Sequence, residues 1–101
     1  MAQIATYDYQ LHGGPTGYRN ERAIVRLYGS DRQTVAYIHF VLTGNPIPPN
    51  KAADPWIRMY MPETLISDVM EMLRQESPVS IYYNQGQVFL HTGDEPVGEA
   101  E

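Results

Sequence analysis

The sequence predicts an α+β domain, an antiparallel sheet of five or six strands with one amphipathic helix (about 62–76) packed on its aliphatic face. Three observations carry this. Apolar and polar residues alternate in several short segments, as they do in strands with one buried face. A single stretch has helical spacing, and clusters of Gly, Pro and Asn separate the periodic segments.

Ile4–Leu11 alternates weakly, with Ala5, Tyr7, Tyr9 and Leu11 on one side, and reads as a first strand. Gly13, Gly14, Pro15 and Gly17 then break the chain. Ala23–Tyr28 and Thr34–Leu42 form a hairpin around Gly29-Ser30-Asp31. The segment 43–55 holds Pro46, Pro48, Pro49 and Pro55, which cannot donate to a ladder, and reads as a loop longer than most connections. Trp56–Met61 alternates again. From Pro62 to Glu76, Leu65, Ile66, Val69, Met70, Met72 and Leu73 share one side of a helix, which Pro62 starts and Ser77-Pro78 ends. Val79–Tyr83 and Val88–Thr92 make a second hairpin across Asn84–Gln87. Gly93–Glu101 is expected to be a flexible acidic tail beyond a single domain of residues 1–92.

Size sets a problem for this architecture. Strands lie about 4.8 Å apart, so five or six span roughly 20–25 Å, whereas a helix is about 10–12 Å wide. One helix covers about half of such a sheet. The remainder must curl, stay exposed or meet a second copy, which gives a homodimer a physical motive.

The chain has 101 residues, no cysteine and a formal charge of −5, so disulfide and thiolate chemistry are excluded. There is no long apolar run and no basic-then-apolar segment in Met1–Gln10, so the expectation is a cytoplasmic protein without a membrane span. The charge is uneven. Residues 1–62 carry six cationic against four acidic side chains, or +2, and residues 63–101 carry one against eight, or −7. Six of the seven basic residues are arginine, which stacks on rings and forms bidentate bonds.

The polar side of the central strands is unusual in composition. Arg22, Arg26 and Tyr28 alternate with Ala23, Val25 and Leu27, while Tyr37 and His39 alternate with Ala36, Ile38 and Phe40. Trp56, Arg58 and Tyr60 alternate with Ile57, Met59 and Met61. If the strands share a sheet, Arg26, Tyr28, Tyr37, His39, Trp56, Arg58 and Tyr60 form one aromatic and arginine face, the candidate binding surface. Aromatics and arginine are enriched at protein interfaces, and rings with flanking cations also stack and steer single-stranded nucleic acid. Few cations and a net negative charge weigh against a polyanion partner. Tyrosine is also favoured in strands for packing alone. An acidic tail is able to compete for a basic groove, or simply to solubilise.

No motif announces catalysis, a metal or a cofactor. His12, His39 and His91 lack metal-ligand spacing. Gly13-Gly14-Pro15-Thr16-Gly17 lacks the Gly-Lys-Ser/Thr ending of a phosphate loop. His39 or His91 with Asp8 or Ser80 is a pairing of residue types only, without the local signature of an activated nucleophile. Met59, Met61, Met70 and Met72 read as core filling between the helix and the third central strand. The expectation is therefore a non-catalytic binding or regulatory module, acting by protein contact or homodimerisation, with weak single-stranded nucleic-acid binding restrained by the tail as the alternative.

Tyr37–Pro49, Leu73–Tyr83 and Glu95-Pro96-Val97-Gly98-Glu99 resemble small bacterial proteins that carry no assigned activity. That likeness spans about two-thirds of the chain and implies a bacterial, cytoplasmic setting. A sheet crossed by one helix is also similar in topology to the PC4 and Whirly single-stranded-DNA binders, which dimerise, although two strands after the helix depart from their pattern.

Overall fold

A computed structural model of the chain describes residues 2–53 and 56–93. The strands are β1 (Ala2–Ile4), β2 (Thr6–Leu11), β3 (Glu21–Tyr28), β4 (Thr34–Val41), β5 (Lys51–Ala53), β6 (Trp56–Pro62), β7 (Val79–Asn84) and β8 (Gln87–Thr92). A 3-10 turn at Glu63–Leu65 leads into α1 (Ile66–Gln75).

The fold is α+β with one α-helix, as expected, but the single antiparallel sheet is corrected to two sheets. One has five strands in the order β2-β3-β4-β6-β5, and the other has three in the order β1-β7-β8. The larger sheet is mixed, because β4 and β6 run parallel, Tyr37 beside Arg58 and His39 beside Tyr60. Parallel neighbours need a long crossover, and the Pro-rich segment after β4 supplies it. Its end is not all loop: Lys51–Ala53 pairs with β6 as a short edge strand. Asn50 extends that pairing with its side chain, whose Oδ1 accepts from the Tyr60 N–H at 2.8 Å.

The expected N-terminal strand divides at Ala5. Residues before it pair with β7 and residues after it pair with β3, so one extended segment serves both sheets. The helix is also shorter than expected. Ile66, Val69, Met70 and Leu73 pack on the core, whereas Leu65 is exposed in the 3-10 turn and Met72 lies outside the cluster. Of Met59, Met61, Met70 and Met72, Met61 and Met70 are buried in the core cluster and Met59 packs against that cluster.

The core answers the size problem within one chain. Ala23, Val25, Leu27, Ala36, Ile38 and Phe40 from the aliphatic face of the large sheet share one buried cluster with Val69 and Met70 of α1 and with Ile81 and Val88 of the small sheet. The second sheet covers what the helix leaves bare, so the coverage argument for a homodimer no longer applies. Of the expected tail, Gly93–Glu101, all but Gly93 lies outside the described residues.

Candidate functional site

The outer face of the five-stranded sheet gathers the expected residues. Register aligns Asp8, Arg26, Tyr37, Arg58 and Lys51 in one row across all five strands. The adjacent row holds Gln10, Ile24, His39 and Tyr60. The rings interlock: Tyr37 meets Trp56 edge-on at 5.5 Å between centroids, and His39 stacks on Tyr60 at 4.6 Å and 13°. Arg58 lies over the Tyr37 ring at 4.6 Å, and Arg26 over Tyr28 at 5.5 Å. Contacts of this kind contribute about 0.5–1 kcal/mol each when exposed.

Within this face, His39 is a buried linker rather than a presented surface group. It is 6% exposed, the one buried polar side chain among the described residues. Its Nδ1 lies 3.0 Å from Glu21 Oε1, and its Nε2 lies 2.9 Å from Arg58 Nη1. Arginine only donates, so Nε2 accepts and Nδ1–H donates to the carboxylate. This fixes a neutral imidazole in one tautomer. Burial pushes its pKa below the ordinary 6.5; the Glu21 carboxylate opposes that shift, and the Arg58 and Lys51 charges add to it.

Glu21 is the residue that alternation misplaces. A register shift between Glu21 and Ala23 leaves Arg22 as the extra residue of a β-bulge. Strict period two from Ala23 sends Glu21 inward; the bulge turns it outward to His39. Arg22 is withdrawn from the face. Its Nε bonds Glu63 at 3.3 Å, and its Nη1 donates to the carbonyls of His12 and Gly14 at 2.7 and 2.8 Å. The Glu63 carboxyl is held below its ordinary 4.5, mainly because it accepts the Thr43 N–H and secondly through Arg22. Asp8 is engaged away from His39: it accepts from the Tyr28 hydroxyl at 2.8 Å and lies 3.7 Å from Arg26 Nε. Its hydrogen bond raises the Tyr28 pKa above 10.0.

A short hairpin forms the rim beside this face. Tyr18 and Glu21 exchange backbone hydrogen bonds at 3.0 and 2.9 Å, with Arg19 (φ 54°) and Asn20 (φ 64°) both left-handed between them. Positive φ at both central residues is the geometry of a type I′ turn, which favours Asn-Gly; left-handed backbone costs a residue with a Cβ about 1–2 kcal/mol. The rim is anchored by His12, whose Nδ1–H donates to the Glu21 carbonyl at 2.9 Å and whose ring meets Tyr18 edge-on. Gly17 is required here, since at φ 57° an added Cβ would lie 2.3 Å from the Glu21 carbonyl oxygen. Gly17→Ala is expected to cost about 1–3 kcal/mol, read as a lowered urea midpoint.

The histidines fall in two places. His12 and His39 both approach Glu21, whereas His91 sits on β8 opposite Ser80. No group of three or more His, Asp or Glu among the described residues is placed to hold a metal ion. No helix among them is long and apolar enough to cross a membrane. Alternation alone does not mark Glu21 or Lys51 as members of this face, and Asp8, considered with His39 or His91 by residue type, belongs instead with Tyr28 and Arg26. A cation and a carboxylate at matching strand positions were the available signal for Asp8, but Glu21 had none without the bulge. Nor does alternation mark the Tyr82–Phe89 stack, 4.9 Å between centroids, on the small sheet. No protein-family model, curated protein or solved structure matches the chain.

Proposed function

We propose that the chain is a non-catalytic binding module whose aromatic and arginine face meets a protein surface, a second copy of the chain being the first partner to test. The supporting observation is that this face compensates its own charges around its rings. Asp8 offsets Arg26, and Glu21 faces Arg58 through His39. Tyr37 lies between Arg26 and Arg58, Trp56 meets Tyr37 edge-on and is 37% exposed, and Tyr60 stacks on His39. Rings surrounded by mutually satisfied charge suit a protein contact, where arginine and aromatics supply most of the binding energy. Sedimentation velocity across a range of concentrations is the test. A reversible dimer is expected, and Trp56→Ala should weaken it at least tenfold, about 1.4 kcal/mol. A species that stays monomeric at every concentration rejects self-association.

A second reading rests on the row that sets Arg26, Tyr37, Arg58 and Lys51 side by side. Cations flanking a ring are the elements of a single-strand platform, with the acidic residues of 93–101 as competitor. Anisotropy of labelled oligonucleotides should then show binding that falls steeply with salt and strengthens when the chain stops at residue 92. Binding indifferent to both changes rejects this reading.

A further inference from the structure

We propose that the hollow beside the Tyr18–Glu21 turn is a ligand site for a small anion that carries a flat aromatic ring together with a carboxylate or a phosphate. This does not depend on the protein-contact reading. The hollow, about 490 Å³, is lined by Arg19, Tyr18 and His12 beside the turn and by Glu21, His39, Arg58 and Tyr60 of the sheet. That volume lies within the usual range of small-ligand sites, about 300–1,000 Å³.

The charge chemistry favours an anion. Arg19 and Arg58 both line the hollow, against one carboxylate. That carboxylate, Glu21, already accepts from His39. Arg58 gives His39 only Nη1 and holds further N–H donors on the same planar group. Its position is fixed from two directions, by the His39 nitrogen and by the Tyr37 ring beneath it. Tyr60 is likewise fixed by stacking on His39, and Tyr18 by its edge contact with His12. Two tyrosine rings and the Arg58 guanidinium thus have partners that hold them before any ligand arrives, which lowers the ordering cost of binding.

Arg19 supplies the independent observation. It occupies a left-handed position of a tight turn that Asn or Gly fills without strain. Its guanidinium lies over Tyr18 at 5.3 Å, and both residues line the hollow. Strained backbone held by a well-anchored turn is characteristic of binding sites.

The test is an NMR titration of the full chain with 4-hydroxybenzoate and adenosine monophosphate. Their uncharged counterparts, 4-hydroxybenzamide and adenosine, and inorganic phosphate alone complete the set. At least one anion should saturably shift the resonances of Tyr18, Arg19 and Tyr60. Its uncharged counterpart and free phosphate should bind at least tenfold more weakly. The anion that binds identifies carboxylate or phosphate as the recognised group. Arg19→Asn should weaken binding at least tenfold while raising Tm, because asparagine tolerates the left-handed turn. Trp56→Ala, which lies outside the hollow, should leave ligand binding intact even if it abolishes a dimer. No shift with either anion, equal binding of the uncharged counterparts or of phosphate alone, or undiminished binding by Arg19→Asn would overturn the proposal. So would an Arg19→Asn Tm that fails to rise, because the strain argument would then be lost.

Discussion

Phe40→Ala is expected to lower the unfolding free energy by about 3–5 kcal/mol, a large part of the roughly 5–15 kcal/mol that holds a domain folded. Phe40 is fully buried on β4, the middle strand of the large sheet, and belongs to the cluster that also receives α1 and the small sheet. Removing the ring leaves a cavity walled by three layers that cannot all relax into it. Ile81→Ala, on β7 of the small sheet and equally buried, is expected to cost about 2–5 kcal/mol. Because both residues serve one core, the two sheets should melt together. Trp56 fluorescence reports the large sheet and far-UV circular dichroism reports the whole chain. Their denaturation curves should coincide for the wild type and for both variants. Separate transitions would mean that the small sheet folds as an independent unit.

Acid is expected to destabilise the protein through the Glu21–His39–Arg58 chain before most carboxylates titrate. The groups facing His39 are Glu21 on β3, Tyr37 beside it on β4, Arg58 and Tyr60 on β6, and Lys51 on β5. Its folded pKa lies below the ordinary 6.5, with burial as the leading cause. Above 6.5 both folded and unfolded states hold a neutral imidazole, and the contribution is fully present. As pH falls below 6.5 the unfolded state takes up the proton first. Stability therefore declines until the folded pKa is reached, where the decline stops. Glu63 has the same sign at lower pH, its contribution being lost below 4.5 through its depressed folded value. Protonated His39 also places an N–H against Arg58, so Arg58 should leave its position over Tyr37. His39→Phe keeps a ring against Tyr60 but cannot titrate, and should flatten the upper part of the decline. Glu21→Leu strands the buried Nδ1–H and should cost about 1–3 kcal/mol at neutral pH. Urea midpoints measured from about pH 7.5 to 5 check all three; a wild-type midpoint that holds constant from pH 6.5 downward would refute the assignment.

Most elements and the faces of the central strands are legible in the sequence, although β5 and the division of the first strand are not. Alternation at Arg26 and Tyr28, Tyr37 and His39, and Trp56, Arg58 and Tyr60 is a local property of the backbone. It placed these side chains on one side of their strands without knowledge of partners. Helical spacing located α1, and Gly and Pro located the turns. How those strands join is set by packing between distant segments. Period two is the same in parallel and antiparallel strands, so nothing in Trp56–Met61 distinguished a parallel neighbour of β4 from an antiparallel one; the long Pro-rich crossover was the one sign. Ala5 divides a continuous alternating segment between two sheets because each half meets a different partner, β7 or β3. The extra residue at Arg22 is visible only as a mismatch between β3 and β4, yet it brings Glu21 to His39. It thereby turns a stripe of rings and arginines into a hydrogen-bonded site. Periodicity reports what each strand shows to its own two sides, whereas register, sheet membership and bulges belong to pairs of strands and are fixed only when distant segments pack.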